Sequence, residues 1–265
     1  MSKIRVLMNG ACGKMGRDMS AGIMNAGDME IVAAVDIKGG GRDVGLLAGG
    51  EPNGLLVEEN LLKAVHEHQP QVLVDFTNPQ AILTCLHSVL PLNLPCVVGT
   101  SGLSASELPE LDMLARKYNA PVFVASNFAL GAVLMMRFAK EAAHYFPHVE
   151  VIERHHDQKL DAPSGTAIST LEMIAKERQA FVQGAADEVE RINGARGGDF
   201  QGARVHSVRL PGYVATQEVV FGGQGQLLTI RHDAMNRECF LPGLLLAIRK
   251  IHSLQGLVIG LENLM

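Results

Sequence analysis

The sequence predicts an α/β chain in two domains. The first holds a parallel sheet with helices on both faces; the second is an α+β domain with a mixed or antiparallel sheet. Three observations predict it. Short apolar runs alternate with helical segments up to about residue 127. A glycine-patterned turn, Gly10-Ala-Cys-Gly13-Lys-Met-Gly16, joins the first run to the first helix. After residue 145 the grammar changes to strand-like segments that follow one another.

In the first domain, Ile4 to Met8 is a buried strand ending at Asn9-Gly10, and Gly13 to Met24 reads as a helix. Glu30 to Val35 is a second buried strand, closed by Asp36. Residues 39–54 are glycine-rich and are expected to form a long irregular surface loop. Leu61 to His68 is helical, and Gln71 to Phe76 is a strand. Pro79 suits a first helical turn and opens a helix to about Leu90. Cys96 to Val98 is a strand ending in Gly99-Thr-Ser-Gly102. Ser104 and Glu107 have the spacing of a capping box before a helix to Tyr118, and Pro121 to Ala125 is a further strand.

Leu130 to Tyr145 is a long helix, with Leu134, Phe138, Ala142 and Tyr145 expected on one stripe. Val149 to Arg154 is a strand, and a helix runs from Thr166 to Phe181. Arg204 to Leu210, Ala215 to Phe221 and Gln226 to His232 are strands, the last two joined by a hairpin turn within Gly222-Gly-Gln-Gly225. Phe240 to His252 is a final helix.

The chain has 265 residues, 47% of them hydrophobic and 19% charged, enough to build cores for two domains. A net charge of -5 argues against general nucleic-acid binding. Cysteines 12, 85, 96 and 239 form no C-x-x-C pair, so neither a zinc ribbon nor a disulfide framework is indicated. No apolar run approaches the roughly 18 residues of a membrane helix, and the amino terminus does not read as a signal peptide. A cytoplasmic protein without a membrane partner is expected.

The glycine turn follows a strand and opens a helix, and Asp36 stands twenty residues past Gly16 at the end of the next strand. This is the context in which backbone N–H groups cradle a pyrophosphate and an acid bonds a ribose hydroxyl. The acid favours NADH, while Lys38 and Arg42 could accommodate a 2′-phosphate. Asp75-Phe-Thr-Asn-Pro79, Gly99-Thr-Ser-Gly102 and Ala125-Ser-Asn-Phe128 close three further strands on the side where such cofactors bind.

Residues 153–166, Glu-Arg-His-His-Asp-Gln-Lys-Leu-Asp-Ala-Pro-Ser-Gly-Thr, concentrate imidazoles, a lysine and carboxylates before a helix. Ser164-Gly165-Thr166 enters that helix, and its exposed N–H groups and hydroxyls make a receptor for a carboxylate. Lys159 and an imidazole would add positive charge. The pattern describes a pocket for a small acidic molecule, with groups enough for two carboxylates. Each residue also has a plain structural reading: Ser164 as a helix cap, His156 as a satisfied histidine, Lys159 as a surface charge. A metal set of His155, Asp157 and Asp161 with His144 or His148 lacks the helical spacing of zinc ligands, so no metal is expected.

His155-His-Asp-Gln-Lys-Leu-Asp-Ala-Pro-Ser-Gly-Thr-Ala167 resembles the signature of the 4-hydroxy-tetrahydrodipicolinate (dihydrodipicolinate) reductase family of lysine and diaminopimelate synthesis. Gly10 to Gly16, Asp75-Phe-Thr77, Gly99-Thr100 and Asn127-Phe128 are similar to its cofactor-side motifs. The resemblance implies a Rossmann-like domain at 1–127, a substrate-binding domain at 128–238 whose sheet builds a homotetramer, and a segment 239–265 returning to the first domain. It implies NADH and/or NADPH at Gly10, Ala11, Cys12, Gly13, Lys14, Met15, Asp36, Phe76, Thr77, Gly99, Thr100, Ser101, Ala125, Ser126, Asn127 and Phe128. It makes His155 the general acid/base and Lys159 the proton donor, with His156, Lys159, Ser164, Gly165, Thr166 and Arg237 on the substrate. Two positions depart from the enterobacterial pattern. Ile37 follows Asp36, and Asn78 follows Thr77, where basic residues are expected; both changes weaken the grip on a 2′-phosphate. Rivals are a related two-domain dehydrogenase, which would not need the 159–166 pocket, and a non-catalytic nucleotide sensor, which would have no use for Lys159.

Overall fold

A computed structural model describes residues 2–100, 102–179, 183–185 and 187–265. They form two compact units, one of described residues up to 128 with 237–265, and one of described residues within 129–236.

The first unit holds a seven-stranded sheet. In chain order its elements are β1 (Ile4–Asn9), α1 (Lys14–Asn25), β2 (Met29–Val35), α2 (Val44–Leu47), β3 (Val57–Glu58), α3 (Leu61–His68), β4 (Val72–Asp75), α4 (Pro79–Val89), β5 (Cys96–Val98), α5 (Leu108–Lys117) and β6 (Val122–Val124). The second unit contains α6 (Leu130–Ala142), β7 (His148–His155), α7 (Gly165–Glu177), β8 (Gly198–Phe200), β9 (Ala203–Arg209), β10 (Ala215–Gly223) and β11 (Gln226–Ala234). The chain then returns to the first unit with α8 (Leu241–Lys250) and β12 (Leu257–Ile259).

The first sheet runs β12-β6-β5-β4-β1-β2-β3, and every pairing in it is parallel. The strand order reverses between β1 and β4, the switch point at which such sheets bind ligands beyond their carboxyl ends. Leu7, Leu73, Cys96 and Val122 lie at the middle of the sheet, fully buried, with Ile82 and Leu86 of α4 and Leu111 of α5 in the same core. Asn60 and Asn78 cap α3 and α4 by accepting N–H bonds from Lys63 and Ala81.

The second sheet runs β11-β10-β7-β9-β8 and is mixed, because β7 and β9 are parallel while the other pairs are antiparallel. Val149 and Val151 point into a core with Met135, Ala139, Leu171 and Phe221, while alternate residues of β7 face the other way. Gly225, at φ +71°, makes the two-residue hairpin between β10 and β11.

Several expectations are corrected. Residues 39–54 are not wholly irregular. Asp43 caps α2 by accepting from Leu46 N–H, and its carboxylate also gathers the N–H groups of Asn53 and Gly54. The stripe Leu134–Phe138–Ala142–Tyr145 does not coincide with the buried face of α6, which shares only Ala142 with it. Phe138 is 55% and Tyr145 74% exposed, and the buried face is Ala132, Val133, Met135, Ala139 and Ala142. Small residues let α6 approach its neighbours, which displaces the bulky ones outward. Only half of the capping box forms: Ser104 N–H donates to Glu107, but α5 begins at Leu108. The helix at 165–177 ends before Phe181, which lies outside the described residues. Strands β3, β8 and β12 are two or three residues long and carry no pattern of their own.

Candidate active site

The glycine turn stands at the carboxyl end of β1. Gly10 N–H and Ala11 N–H donate to Val35 O, which pins the turn to β2. Gly10 adopts φ +83°, and a Cβ there would sit 2.6 Å from Phe76 O. A Cβ on Gly16 would sit 2.1 Å from Gly10 O, so α1 packs against the turn only because residue 16 lacks a side chain. Gly13 is the N-cap of α1 and makes no side-chain cap bond, which leaves N–H groups of the first turn, among them those of Lys14 and Met15, without a side-chain cap. An uncapped first turn behind glycines is a receptor for a phosphate anion.

Asp36 closes β2 and works on the turn itself. Its carboxylate accepts from Cys12 N–H at 2.9 Å and from Lys38 N–H at 2.9 Å. A cavity of about 670 Å³ opens here, lined by Gly10, Gly13, Asp36, Ile37, Phe76 and Thr77 among others. A second cavity is lined by Cys12, Arg17, Asp36, Lys38 and Arg42, and so sets three cations beside the acid.

Asp75, at the end of β4, is fully buried and joins three strand ends. It accepts from Asn9 Nδ2 at 2.7 Å, from Thr77 N–H and hydroxyl, and from the Thr100 hydroxyl at 2.6 Å. Burial pushes its pKa up, and the bonds from Thr100, Thr77 and Asn9 hold it partly back. The Phe76 ring lies 6.2 Å from that of Phe128, and Gly99 lies under the Phe76 edge. At the end of β6, Ala125 and Phe128 are buried, while Ser126 is exposed and Asn127 half-buried. The predicted cofactor residues of the first unit therefore gather at the carboxyl ends of β1, β2, β4, β5 and β6; Ser101 lies outside the described residues.

In the second unit, His155 is the last residue of β7 rather than part of a loop. Its Nδ1 lies 2.5 Å from Glu153 Oε2. Glu153 is fully buried and is held by a two-pronged bond from Arg209, with Nη1 and Nη2 each at 2.8 Å. Burial would raise its pKa, but hydrogen bonds from His155, Arg209 and Ser207 outweigh that and lower it to about 2. An ionised carboxylate only accepts, so Nδ1 of His155 is the donor and Nε2 is left for other chemistry.

Lys159 Nζ lies 2.6 Å from Asp161 Oδ1, in the loop that follows a turn closed by Lys159 N–H on His156 O. His156 is exposed and Thr166 half-buried. Ser164 is the N-cap of α7: its hydroxyl accepts from Ala167 N–H, and its own N–H donates to Glu153 Oε1. A Cβ on Gly165 would meet nothing within 4 Å, so the first turn of α7 is open beside it. Arg237 belongs to the first unit, where it pairs with Asp18 at 3.4 Å. The groups of the alternative metal set have protein partners: His155 with Glu153, Asp157 with Gln158, Asp161 with Lys159 and His144 with Glu177.

Glu153 opens the stretch that the sequence singles out but was given no role there, and Arg209 was absent from the predicted site. Glu153-x-His155 on a strand is the signal for the first, because residues two apart share a face. Arg209 has no local signal; the parallel register of β7 on β9 sets it opposite His155.

A parallel-sheet unit with a phosphate-receiving turn at its switch point, and a second unit carrying an imidazole, a lysine and an open helix N-terminus, define a two-unit dinucleotide-dependent oxidoreductase. The chain belongs to the dihydrodipicolinate reductase family: the model of the family's N-terminus matches residues 4–128 and that of its C-terminus residues 131–265. It is 52% identical over 264 residues to a 4-hydroxy-tetrahydrodipicolinate reductase of Desulfitobacterium hafniense, covering 99% of both chains. It is 50% identical over 266 residues to the enzyme of the same name from Moorella thermoacetica, covering 100% of this chain and 99% of that one. Among solved structures it is similar to a dipicolinate-bound dihydrodipicolinate reductase from Paenisporosarcina sp. TG-14, with a TM-score of 0.89, 43% identity, and coverage of 99% of this chain and 100% of that one.

Proposed function

We propose that this chain reduces 4-hydroxy-tetrahydrodipicolinate to tetrahydrodipicolinate, with loss of one water, in lysine and diaminopimelate biosynthesis. The observation that carries this reading is the cluster at 155–166, where a clamped imidazole, a lysine and an open helix N-terminus share one short stretch of a chain that both family models match. The relative solved with dipicolinate supports a flat dicarboxylate as the ligand class.

When bound, the nicotinamide supplies a hydride to the conjugated imine that remains once water has left. The protein's part is to hold, orient and protonate. The turn from Gly10 to Met15 and the uncapped start of α1 receive the pyrophosphate. Asp36 retains lone pairs for a ribose hydroxyl after accepting from Cys12 and Lys38, and Arg17, Lys38 and Arg42 offset its charge where a 2′-phosphate would stand. Both NADH and NADPH fit that arrangement. The loops at Phe76-Thr77, Gly99-Thr100 and Ala125 to Phe128 flank the nicotinamide in this reading.

In the second unit, N–H groups at Gly165 and Thr166, the Thr166 hydroxyl and His156 receive the substrate carboxylates, and Ser164 shapes that turn as its cap. Lys159 or Nε2 of His155 delivers the proton that completes reduction, and Lys159 adds positive charge beside the developing anion. The second sheet exposes Leu227 and Leu228 on β11, an apolar edge suited to pairing between copies in a homotetramer. No helix among the described residues is long and apolar enough to cross a membrane, and a cytoplasmic location accords with this metabolic role.

A coupled assay tests the proposal. Dihydrodipicolinate synthase, pyruvate and aspartate semialdehyde generate substrate, and consumption of NADH or NADPH is followed optically. Pyridine-2,6-dicarboxylate is expected to inhibit. Nucleotide consumption that does not depend on the synthase would overturn the assignment.

A further inference from the structure

We propose that Glu153 is a positioning residue for the reduction: gripped by Arg209, it fixes the His155 imidazole with Nε2 outward and ties the same carboxylate to the first turn of α7. The proposal rests on the reading of His155 as a proton-transfer group.

A glutamate in a core-facing position of a strand is costly unless its oxygens are fully used. Here they are used from three directions. Oε2 takes Nδ1–H of His155 from the same strand. Both oxygens take the Arg209 fork from β9. Oε1 also takes Ser164 N–H from the residue that caps α7. Arg209 in turn donates to Asp161 O at 2.7 Å, which pins the loop that carries Lys159. One carboxylate thus sets the imidazole, the start of the anion-receiving helix and, through Arg209, the lysine loop. The charged and titratable groups facing it are His155 and Arg209, and the Ser207 hydroxyl completes the set.

The geometry leaves little room for a substitute. Aspartate is one methylene shorter and would lose reach to β9 or to α7. Glutamine keeps the shape but replaces an acceptor with a donor, and every partner here is already a donor. The imidazole then loses the partner that dictates its tautomer, and the neutral ring can carry its proton on Nε2, the nitrogen that must exchange protons with substrate.

Three variants, E153Q, H155Q and E153Q/H155Q, test this in the intact 265-residue chain, with ¹⁵N NMR of the His155 ring as a second readout. E153Q is expected to lower kcat about 10²- to 10⁴-fold, the span of the acid/base contribution that an imidazole in the wrong tautomer forfeits, with KM for NADH unchanged. The wild-type ring is expected to show Nδ1–H when neutral, and E153Q a mixture of tautomers. The double variant is expected to be no slower than H155Q, because Glu153 acts through the ring. Near-normal kcat in E153Q, or a double variant slowed by the product of the two single effects, would overturn the proposal while leaving the role of His155 intact. Near-normal turnover in H155Q would instead remove the reading on which it rests. Should E153Q not fold, the wild-type spectrum still decides: a neutral ring protonated mainly on Nε2 overturns the clamp.

Discussion

Replacing Glu153 by glutamine should remove a part of the chain's stability that depends on pH in a defined direction. The folded carboxyl sits at about 2 against an ordinary value of 4.5, because the bonds from His155, Arg209 and Ser207 outweigh the cost of burial. A depressed folded pKa means that the stabilisation is fully present above the unfolded value and fades as pH falls toward the folded one. At 1.36 kcal/mol per tenfold change in acidity, the contribution is about 3 kcal/mol near pH 7 and about 1 kcal/mol near pH 3. Urea unfolding of wild type and E153Q, followed by far-UV circular dichroism between these two conditions, measures the gap directly. Hydrogen exchange at β7 and β9 assigns it to the second unit. The expected result is a gap of about 3 kcal/mol at neutral pH that narrows steadily on acidification. A gap that stays constant across the range, or that widens in acid, would refute the linkage and with it the picture of a tightly paired, ionised Glu153.

Three further outcomes follow from the same geometry. Lys159→Ala should lower turnover about 10²- to 10⁴-fold, the span of general-acid contributions, with NADH affinity by fluorescence titration unchanged. Gly16→Ala forces a methyl to within 2.1 Å of Gly10 O, so it should weaken NADH binding by roughly 1–3 kcal/mol, as overpacking does, and unaltered affinity would argue against the cradle at the start of α1. Asp75→Asn places an amide donor among the Asn9, Thr77 and Thr100 donors; a loss of about 1–3 kcal/mol should appear as a lower melting temperature together with weaker NADH binding.

The parallel sheet was legible because its strands are buried on both sides and read as apolar runs. Cys96–Val98 and Val122–Val124 are only three residues long, yet each is bounded by turn residues that mark it. The place of the glycine turn between β1 and α1, and of Asp36 just past β2, was legible because both depend on local spacing. What could not be read was non-local. Arg209 meets Glu153 from 56 positions away, and only the pairing of β7 with β9 brings them together. Glu153 itself had a local signal, since it alternates with Val149 and Val151, but a carboxylate on an apolar face reads as an interruption until its counter-ion is known. The α6 stripe failed for a related reason. Periodicity finds an apolar face, but Ala132, Ala139 and Ala142 win the interior because their size permits close approach, and nothing in the helix alone says how near its neighbours stand.

Two buried carboxylates organise the two units, and they respond to acid with opposite signs. Among the described residues the side-chain and backbone donors to the Asp75 carboxyl are neutral, and burial pushes its pKa up. A raised folded pKa favours the protonated form on folding, so this group contributes most at low pH and loses its contribution as pH rises through its folded value. The hydroxyls of Thr77 and Thr100 can rotate to accept a proton from a neutral carboxyl, which keeps the three strand ends joined in acid. Glu153 is bound by a guanidinium and an imidazole that cannot reverse their roles once charged, and protonating it leaves Arg209 without its counter-ion. Acidification should therefore loosen the β7–β9 ladder of the second unit while the β1–β4–β5 strand ends of the nucleotide unit stay protected. Hydrogen exchange across a descending pH series reads that order, and exchange that rises first at Asn9, Thr77 and Thr100 would show that the nucleotide unit, not the glutamate clamp, is the acid-sensitive part of the molecule.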